Sequence, residues 1–83
     1  MTSEPQIVSE IEGKAASNYG VWTIGITNDP SRRKGEHENP IVWYQWQAST
    51  ETLARQIEMR FLAKGMKGAA GGGITPNWVY IFI

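Results

Sequence analysis

The sequence contains no cysteine and only one histidine, His37, among its 83 residues. Without thiols the chain can form no disulfide, no thiolate metal site and no catalytic cysteine, and one histidine cannot build a histidine-rich zinc site. An excess of charge is also missing, because eight acidic residues balance eight basic ones. Since proteins that bind DNA nonspecifically usually carry a clear basic excess, any contact with nucleic acid is expected to be local.

Long apolar runs are absent as well. No stretch approaches the roughly 20 residues that a membrane-spanning helix needs, and no signal-peptide pattern is present. We therefore expect a soluble, intracellular (cytoplasmic) protein with no membrane partner. With 41% hydrophobic residues, a chain of this length can close one modest core, which predicts a single domain over residues 1–83.

The order of apolar and turn-forming residues predicts an α+β fold. Apolar residues at helical spacing indicate helices over residues 3–16 and 51–65. The Asp29 cap, Pro30 at the first helical position and the Asn39-Pro40 stop indicate a third helix over residues 30–38. Alternation and β-branched or aromatic content indicate strands over residues 21–27, 41–47 and 78–83. The last strand is apolar on both faces, which is typical of a covered central strand. We predict a small three-stranded antiparallel sheet flanked by helices, with the glycine-rich residues 65–73 as a flexible loop.

Residues 23–37 carry the strongest functional signal. They predict a buried strand that passes through a capped turn into a short basic helix, which places Arg33 and His37 one turn apart on one side. Arg32, Arg33 and Lys34 form the only tight basic cluster in the sequence. Taken alone, such residues are usually a solvated helix face and a surface or capping histidine, so a purely structural interpretation is open at this point.

Glu58 is singled out by periodicity. It falls within the apolar stripe of the longest predicted helix, which consists of Leu53, Ala54, Ile57, Phe61 and Leu62. A carboxylate on a core-facing stripe needs a cation, a metal ion or hydrogen-bond donors, because an unpaired buried charge is costly. The alternative is that Glu58 lies at the edge of the stripe and bonds an arginine or a backbone amide, which is the commoner case for buried acids.

These residues resemble the second half of the GIY-YIG endonuclease signature. In that family a Tyr-Ile-Gly strand is followed by a Thr/Ser-rich turn, an arginine, and a histidine or tyrosine one helical turn later. Gly25, Arg33 (eight residues further on) and His37 hold those positions, whereas Thr23 stands where the family has its tyrosine. The helix with Glu58, which follows an aromatic strand, resembles the family helix whose glutamate holds a divalent metal.

The resemblance runs from about residue 20 to residue 64 and lacks the family's first strand, which carries Gly-Ile-Tyr. Residues 8–16 contain no tyrosine and no strand pattern. Residues 78–83 look like that missing strand, which suggests a circular permutation. In this hypothesis the strand pairs with residues 21–27 and supplies Tyr80 as the missing tyrosine. The alternative is that residues 78–83 are an unrelated core strand.

The resemblance implies a metal-dependent DNA endonuclease that hydrolyses phosphodiesters with Mg²⁺ or Mn²⁺. Glu58 would hold the metal, Arg33 would bind the phosphate, His37 would orient the nucleophile, and Tyr80 would activate water. The candidate catalytic residues are Thr23, Gly25, Arg33, His37 and Tyr80. The candidate nucleic-acid contacts are Arg32, Arg33 and Lys34.

Thr23 bears on whether the chain is an enzyme, because a threonine hydroxyl cannot easily act as a base at neutral pH. Loss of one general acid or base typically lowers the rate by a factor of about 10² to 10⁴, so weakened activity is one expectation. The alternative is a catalytically inactive GIY-YIG-like domain that binds nucleic acid or serves in protein interaction. The expected partner is accordingly DNA or a protein, and the sequence leaves the oligomeric state and the substrate open.

Overall fold

The computed structural model describes residues 1–69 and 73–83. Three α-helices lie in these residues: α1 (Glu4–Ala15), α2 (Pro30–Glu36) and α3 (Glu51–Ala63). They confirm the three predicted helices, and every boundary falls within two residues of its predicted position. A short 3₁₀ turn, Tyr19–Val21, follows α1. No helix of the described residues has the length and apolar character needed to cross a membrane.

Capping side chains begin two of these helices. The Asp29 carboxylate accepts a hydrogen bond of 3.1 Å from the backbone N–H of Arg32 at the start of α2. The Thr50 hydroxyl accepts one of 3.1 Å from the backbone N–H of Leu53 at the start of α3. Each cap satisfies an N–H group that has no partner within its helix, which is why the helix begins there.

The sheet has four strands in the described residues: β1 (Thr23–Thr27), β2 (Trp43–Gln47), β3 (Lys67–Gly68) and β4 (Trp78–Phe82). Their order is β2-β4-β1-β3, with β4 antiparallel to both neighbours and β3 parallel to β1. The strands β1, β2 and β4 confirm the three predicted ones, and β4 lies between the other two as a central strand. The predicted three-stranded, wholly antiparallel sheet is wrong in its number of strands and in its type.

The additional strand, β3, lies in the stretch that was predicted to be a loop. The backbone N–H groups of Lys67 and Ala69 donate to the carbonyls of Trp22 and Ile24, at 2.9 and 3.0 Å, and so satisfy the outer edge of β1. Two residues are too few to show alternation, so the sequence pattern gave no sign of this pairing. Residues 70–72 of the predicted loop lie outside the described residues.

The two faces of the sheet have different contents, because side chains alternate along each strand. One face carries the main core, in which α3 packs on β1 and β4 and α1 packs beside α3. Its buried strand residues are Ile24, Ile26, Trp46, Val79 and Ile81. We call this the core face. The opposite face, which we call the tyrosine face, carries Thr23, Gly25, Thr27, Trp43, Gln45, Gln47, Trp78, Tyr80 and Phe82.

Candidate functional site

Tyr80 lies at the centre of the tyrosine face, where it meets two side chains from α2 and the residue that follows it. The Tyr80 hydroxyl oxygen lies 3.2 Å from Nε of Arg33 and 3.1 Å from Nε2 of His37. Its strand, β4, pairs with β1 so that Tyr80 is directly opposite Gly25. Four candidate residues from distant parts of the sequence are therefore in one cluster. The pairing of the last strand with residues 23–27, on which the permutation hypothesis depends, is present.

Gly25 makes room for the ring of Tyr80. A Cβ atom at position 25 would overlap the hydroxyl oxygen of Tyr80 and would lie 2.5 Å from its Cζ atom. Ordinary carbon contacts begin near 3.5 Å, so no larger residue fits while the ring keeps this position. The glycine is thus required here by the side chain of the neighbouring strand.

The turn between β1 and α2 fixes the direction from which Arg33 and His37 approach. The Thr27 hydroxyl accepts a hydrogen bond of 3.0 Å from the N–H of Asp29, and Asp29 in turn caps α2. His37 is the residue that ends α2, and its N–H donates to the carbonyl of Arg33 at 3.1 Å. The predicted placement of Arg33 and His37 on one side of a short helix is confirmed by their shared contact with Tyr80.

Two aromatic residues of this cluster were not among the predicted site residues. Trp43 stacks on Tyr80 with ring centroids 4.5 Å apart and 10° between the planes, and Phe82 lies 4.6 Å from the His37 ring. Trp43 and Phe82 are directly opposite each other in the register of β2 and β4. Alternation alone puts Phe82 on the same face as Tyr80, but the contact of Trp43 depends on strand order, which the sequence did not determine.

The hydrogen bonds of Tyr80 indicate how the cluster is protonated. Because a guanidinium can only donate, Arg33 donates to the phenol oxygen, and Nε2 of His37 is the acceptor available to the phenol O–H in the described residues. This arrangement assigns the proton of a neutral His37 ring to Nδ1. The Tyr80 side chain is 0% exposed, so both of its hydrogen bonds lie within the protein.

The pKa shifts of the cluster agree with this assignment. Burial, and then the positive charge of Arg33, lower the pKa of His37 below its usual 6.5. Burial raises the pKa of Tyr80 above 10.0, against the opposing hydrogen bond and charge of Arg33. At neutral pH the pair is therefore a phenol and a neutral imidazole. Both shifts oppose transfer of the phenol proton to His37 in the protein as it stands.

Glu58 lies at the edge of the buried stripe of α3. Ala54, Ile57 and Phe61 are buried, whereas Leu62 is 38% exposed, so the stripe is narrower than the sequence suggested. Burial raises the pKa of Glu58, and the charge of Arg55 only partly opposes this. Over residues 1–69 and 73–83 the Glu58 carboxylate makes no hydrogen bond and no salt bridge, so the expected arginine or amide partner is not found.

The charge of Glu58 acts on Tyr80. It contributes to the raised pKa of the phenol, although burial is the larger cause. The carboxylate is carried by α3, which packs on the core face, and in the described residues it makes no hydrogen bond or ion pair with Tyr80, Arg33 or His37. The cluster of these three side chains on the tyrosine face is the candidate functional site.

The other predicted residues lie at the margin of the site. Thr23 is on the tyrosine face, opposite Phe82, and its side chain makes no hydrogen bond within the described part of the chain. Arg32 donates to the Asn28 side chain at 3.3 Å and lies 3.7 Å from a carboxylate oxygen of Glu36. Lys34, on the same helix, forms no hydrogen bond or ion pair with its side chain in residues 1–69 and 73–83. Neither basic residue contacts the Tyr80 hydroxyl.

The available ligands restrict the kind of metal that could bind. Among the described residues no three His, Asp or Glu side chains come together as a metal cluster. A single carboxylate with no protein partner, such as Glu58, fits a hard cation that keeps most of its water ligands. The described residues therefore offer no metal site built from several protein ligands.

The fold and the site together define a small α+β domain with a buried phenol, guanidinium and imidazole cluster on one face of a four-stranded mixed sheet. Comparisons with known protein families, with curated proteins and with solved structures find no match to this chain. A function therefore has to be argued from the chemistry of the cluster itself.

Proposed function

We propose that this chain is a GIY-YIG-type, metal-dependent DNA endonuclease in which β4 takes the place of the family's first signature strand. The observation that carries the proposal is the contact of Tyr80 with Arg33 and His37, opposite Gly25. An unrelated core strand would not be expected to place a tyrosine at the register position directly opposite that glycine. The DNA partner and an intracellular, cytoplasmic location belong to the same proposal.

Hydrolysis of a phosphodiester needs positive charge at the phosphate and a positioned water molecule. Arg33 is held by Tyr80 and by Glu36, and its planar guanidinium suits bidentate binding of a phosphate. Arg32 and Lys34, on the same helix, would contact neighbouring phosphates of the DNA backbone. Glu58 would hold Mg²⁺ or Mn²⁺, which would supply a Lewis acid at the phosphate.

Tyr80 and His37 would control the proton of the attacking water. In the protein as it stands, the phenol donates to Nε2 of His37, and its lone pairs face Arg33. A role as base requires that the phenol lose its proton, and His37 is the acceptor in contact with it. Because both pKa shifts oppose that transfer, we expect slow turnover at neutral pH that increases with pH.

The alternative function is a catalytically inactive domain that binds nucleic acid or a protein partner. The complete burial of Tyr80 favours it, because a phenol with both hydrogen bonds satisfied inside the protein need not meet water. The Thr23 side chain, which makes no hydrogen bond in the described residues, favours it too. In this alternative the cluster holds α2 against the sheet and has no catalytic task.

The experiment that separates these functions measures cleavage and binding of a DNA duplex in parallel, with Mg²⁺ or Mn²⁺. Glu58→Gln is expected to abolish cleavage and to leave binding unchanged, since it removes the metal ligand alone. Glu51→Gln is the matched control, because Glu51 is on the same helix in an exposed 2.7 Å pair with Arg55. Binding without cleavage in the unmodified protein would support the inactive alternative. Equal cleavage by the unmodified protein and by Glu58→Gln would contradict the metal role of Glu58.

A further inference from the structure

Glu36 joins the two arginines of α2. Its Oε1 atom accepts a hydrogen bond of 2.8 Å from Nη1 of Arg33, and its Oε2 atom lies 3.7 Å from Nε of Arg32. We infer that Glu36 occupies the place of a phosphate group on Arg33 and Arg32, so that a DNA phosphate binds by displacing it. This inference rests on the proposed function, because it assigns Arg33 to the DNA phosphate.

The geometry of the pair supports the comparison with a phosphate. Each carboxylate oxygen of Glu36 faces a different guanidinium, as two non-bridging oxygens of one phosphate would. The hydrogen bond from Arg33 lowers the pKa of Glu36, so the carboxylate is charged at neutral pH and competes with a phosphate under those conditions. The Glu36 carboxylate and a phosphate need the same N–H donors, and one edge of a guanidinium cannot bind both at once.

The three side chains differ in how firmly they are held. The Arg33 side chain is 17% exposed and is anchored by its bond to Tyr80, whereas the Glu36 side chain is 46% exposed. Within the described residues the Glu36 carboxylate has no partner other than the two arginines. Exposed ion pairs of this kind are weak, so a phosphate can replace the carboxylate at small cost. Glu36 is therefore the partner that moves, and Arg33 is the fixed part of the site.

The test is binding of a short duplex DNA at low salt, followed by fluorescence anisotropy with EDTA present so that no cleavage occurs. Glu36→Gln is expected to tighten binding about three- to fivefold, because it removes the competition from a weak ion pair. Glu38→Gln removes the same charge two residues away, and Glu51→Gln removes a carboxylate that pairs with Arg55 at 2.7 Å. Both controls should change the affinity by less than about twofold, because surface charges are screened.

A second variant separates competition from net charge. Glu36→Asp keeps the charge but shortens the side chain, so it cannot bridge both arginines. We expect Glu36→Asp to tighten DNA binding as well, but by less than Glu36→Gln does. The gain from Glu36→Gln should also be lost when Arg33→Lys is present, which a double-mutant cycle measures. Circular dichroism establishes that each variant is folded.

Different results would overturn the inference about Glu36 and the proposed function. If Glu36→Gln and Glu38→Gln tighten binding equally, or if Glu36→Asp has no effect, the inference about Glu36 is overturned while the proposed function stands. If duplex DNA binds none of the proteins, or if Arg33→Lys leaves every affinity unchanged, the proposed function fails and the inference fails with it.

Discussion

At its middle, the central strand β4 is buried on both faces, but the two faces are chemically different. Val79 and Ile81 point into the core face, and Tyr80 points to the tyrosine face, yet all three are 0% exposed. On the core face the burial of apolar surface alone is favourable. On the tyrosine face the buried hydroxyl must be matched by partners, and α2 supplies Arg33 and His37.

If the tyrosine face served stability alone, it would not need the polar partners that Arg33 and His37 provide. A phenylalanine at position 80 would fill the same space without requiring an arginine and a histidine beside it. Surrounding a buried phenol with a cation and an imidazole is the kind of arrangement that tunes proton affinity at functional sites. The comparison between the faces is therefore the basis of the functional proposal, and the following variants test it.

Among substitutions on the tyrosine face, the largest effect on stability is expected from Gly25→Ala. The added Cβ would overlap Tyr80 and force the ring or the strand to move, which should lower the free energy of unfolding by about 3 kcal/mol. Gly13, in α1, has nothing within 4 Å of the equivalent position, so Gly13→Ala should instead add about 0.5–1 kcal/mol. Urea unfolding of both variants measures the contrast. A loss below about 0.5 kcal/mol for Gly25→Ala would mean that the ring of Tyr80 does not lie over position 25.

Tyr80→Phe is expected to have the next largest effect. It leaves the apolar packing of the ring in place and removes both hydrogen bonds, so it should cost about 1 to 2 kcal/mol. Ile81→Ala, on the opposite face of the same strand, should cost about 2 to 5 kcal/mol through cavity formation and should leave DNA binding unchanged. If Tyr80→Phe changes neither stability nor cleavage, the hydroxyl has no task in either function.

A pH dependence is expected from His37. The pKa of His37 in the folded protein is below the unfolded value of 6.5. Between these two pKa values the unfolded chain binds more protons than the folded protein does. The stability contributed by neutral His37 is therefore complete above pH 6.5, declines below it and levels off under the lowered pKa. The difference in unfolding free energy between the unmodified protein and His37→Gln, measured from pH 7.5 to 5, isolates this change from other groups. An increase in that difference on acidification would contradict the lowered pKa.

The smallest effect on stability is expected from Glu58→Gln, and it is a gain. The pKa of Glu58 in the folded protein is raised above 4.5, so the fold disfavours the ionised form. Stability is therefore lost as the pH rises from 4.5 through the raised pKa. Because solvent partly screens this carboxylate, removing its charge should raise the free energy of unfolding by less than about 0.5 kcal/mol at neutral pH, and the gain should vanish below pH 4.5. Added Mg²⁺ should raise the melting temperature of the unmodified protein but not that of Glu58→Gln.

Local features of the sequence determined most of the elements. Asp29 and Thr50 are strong caps, alternation identifies β1 and β2, and a run that is apolar on both faces identifies β4. Strand order and the short β3 depend on pairing between distant residues, which no local pattern encodes. The predicted sheet was therefore wrong in type even though its three main strands were right.

The site shows the same division between local and distant information. Arg33 and His37 could be placed together because they are one turn apart on one helix. The stacking of Trp43 on Tyr80 required the positions of β2 and β4 to be known, so it could not be predicted. The ion pairs of Glu36 were also missed, although its spacing of three and four residues from Arg33 and Arg32 would have indicated them.

The most direct test of the central claim is an NMR titration of the isotope-labelled protein with trace Mn²⁺, followed by Mg²⁺ and a short DNA duplex. If Glu58 holds the metal, Mn²⁺ should selectively broaden the amides around Glu58 and Gly25, and Glu58→Gln should abolish that broadening. Adding DNA should shift the amides around Arg33. Uniform broadening, or identical broadening in Glu58→Gln, would contradict the proposal that the face of Tyr80, Arg33 and His37 is a metal-dependent phosphodiester site.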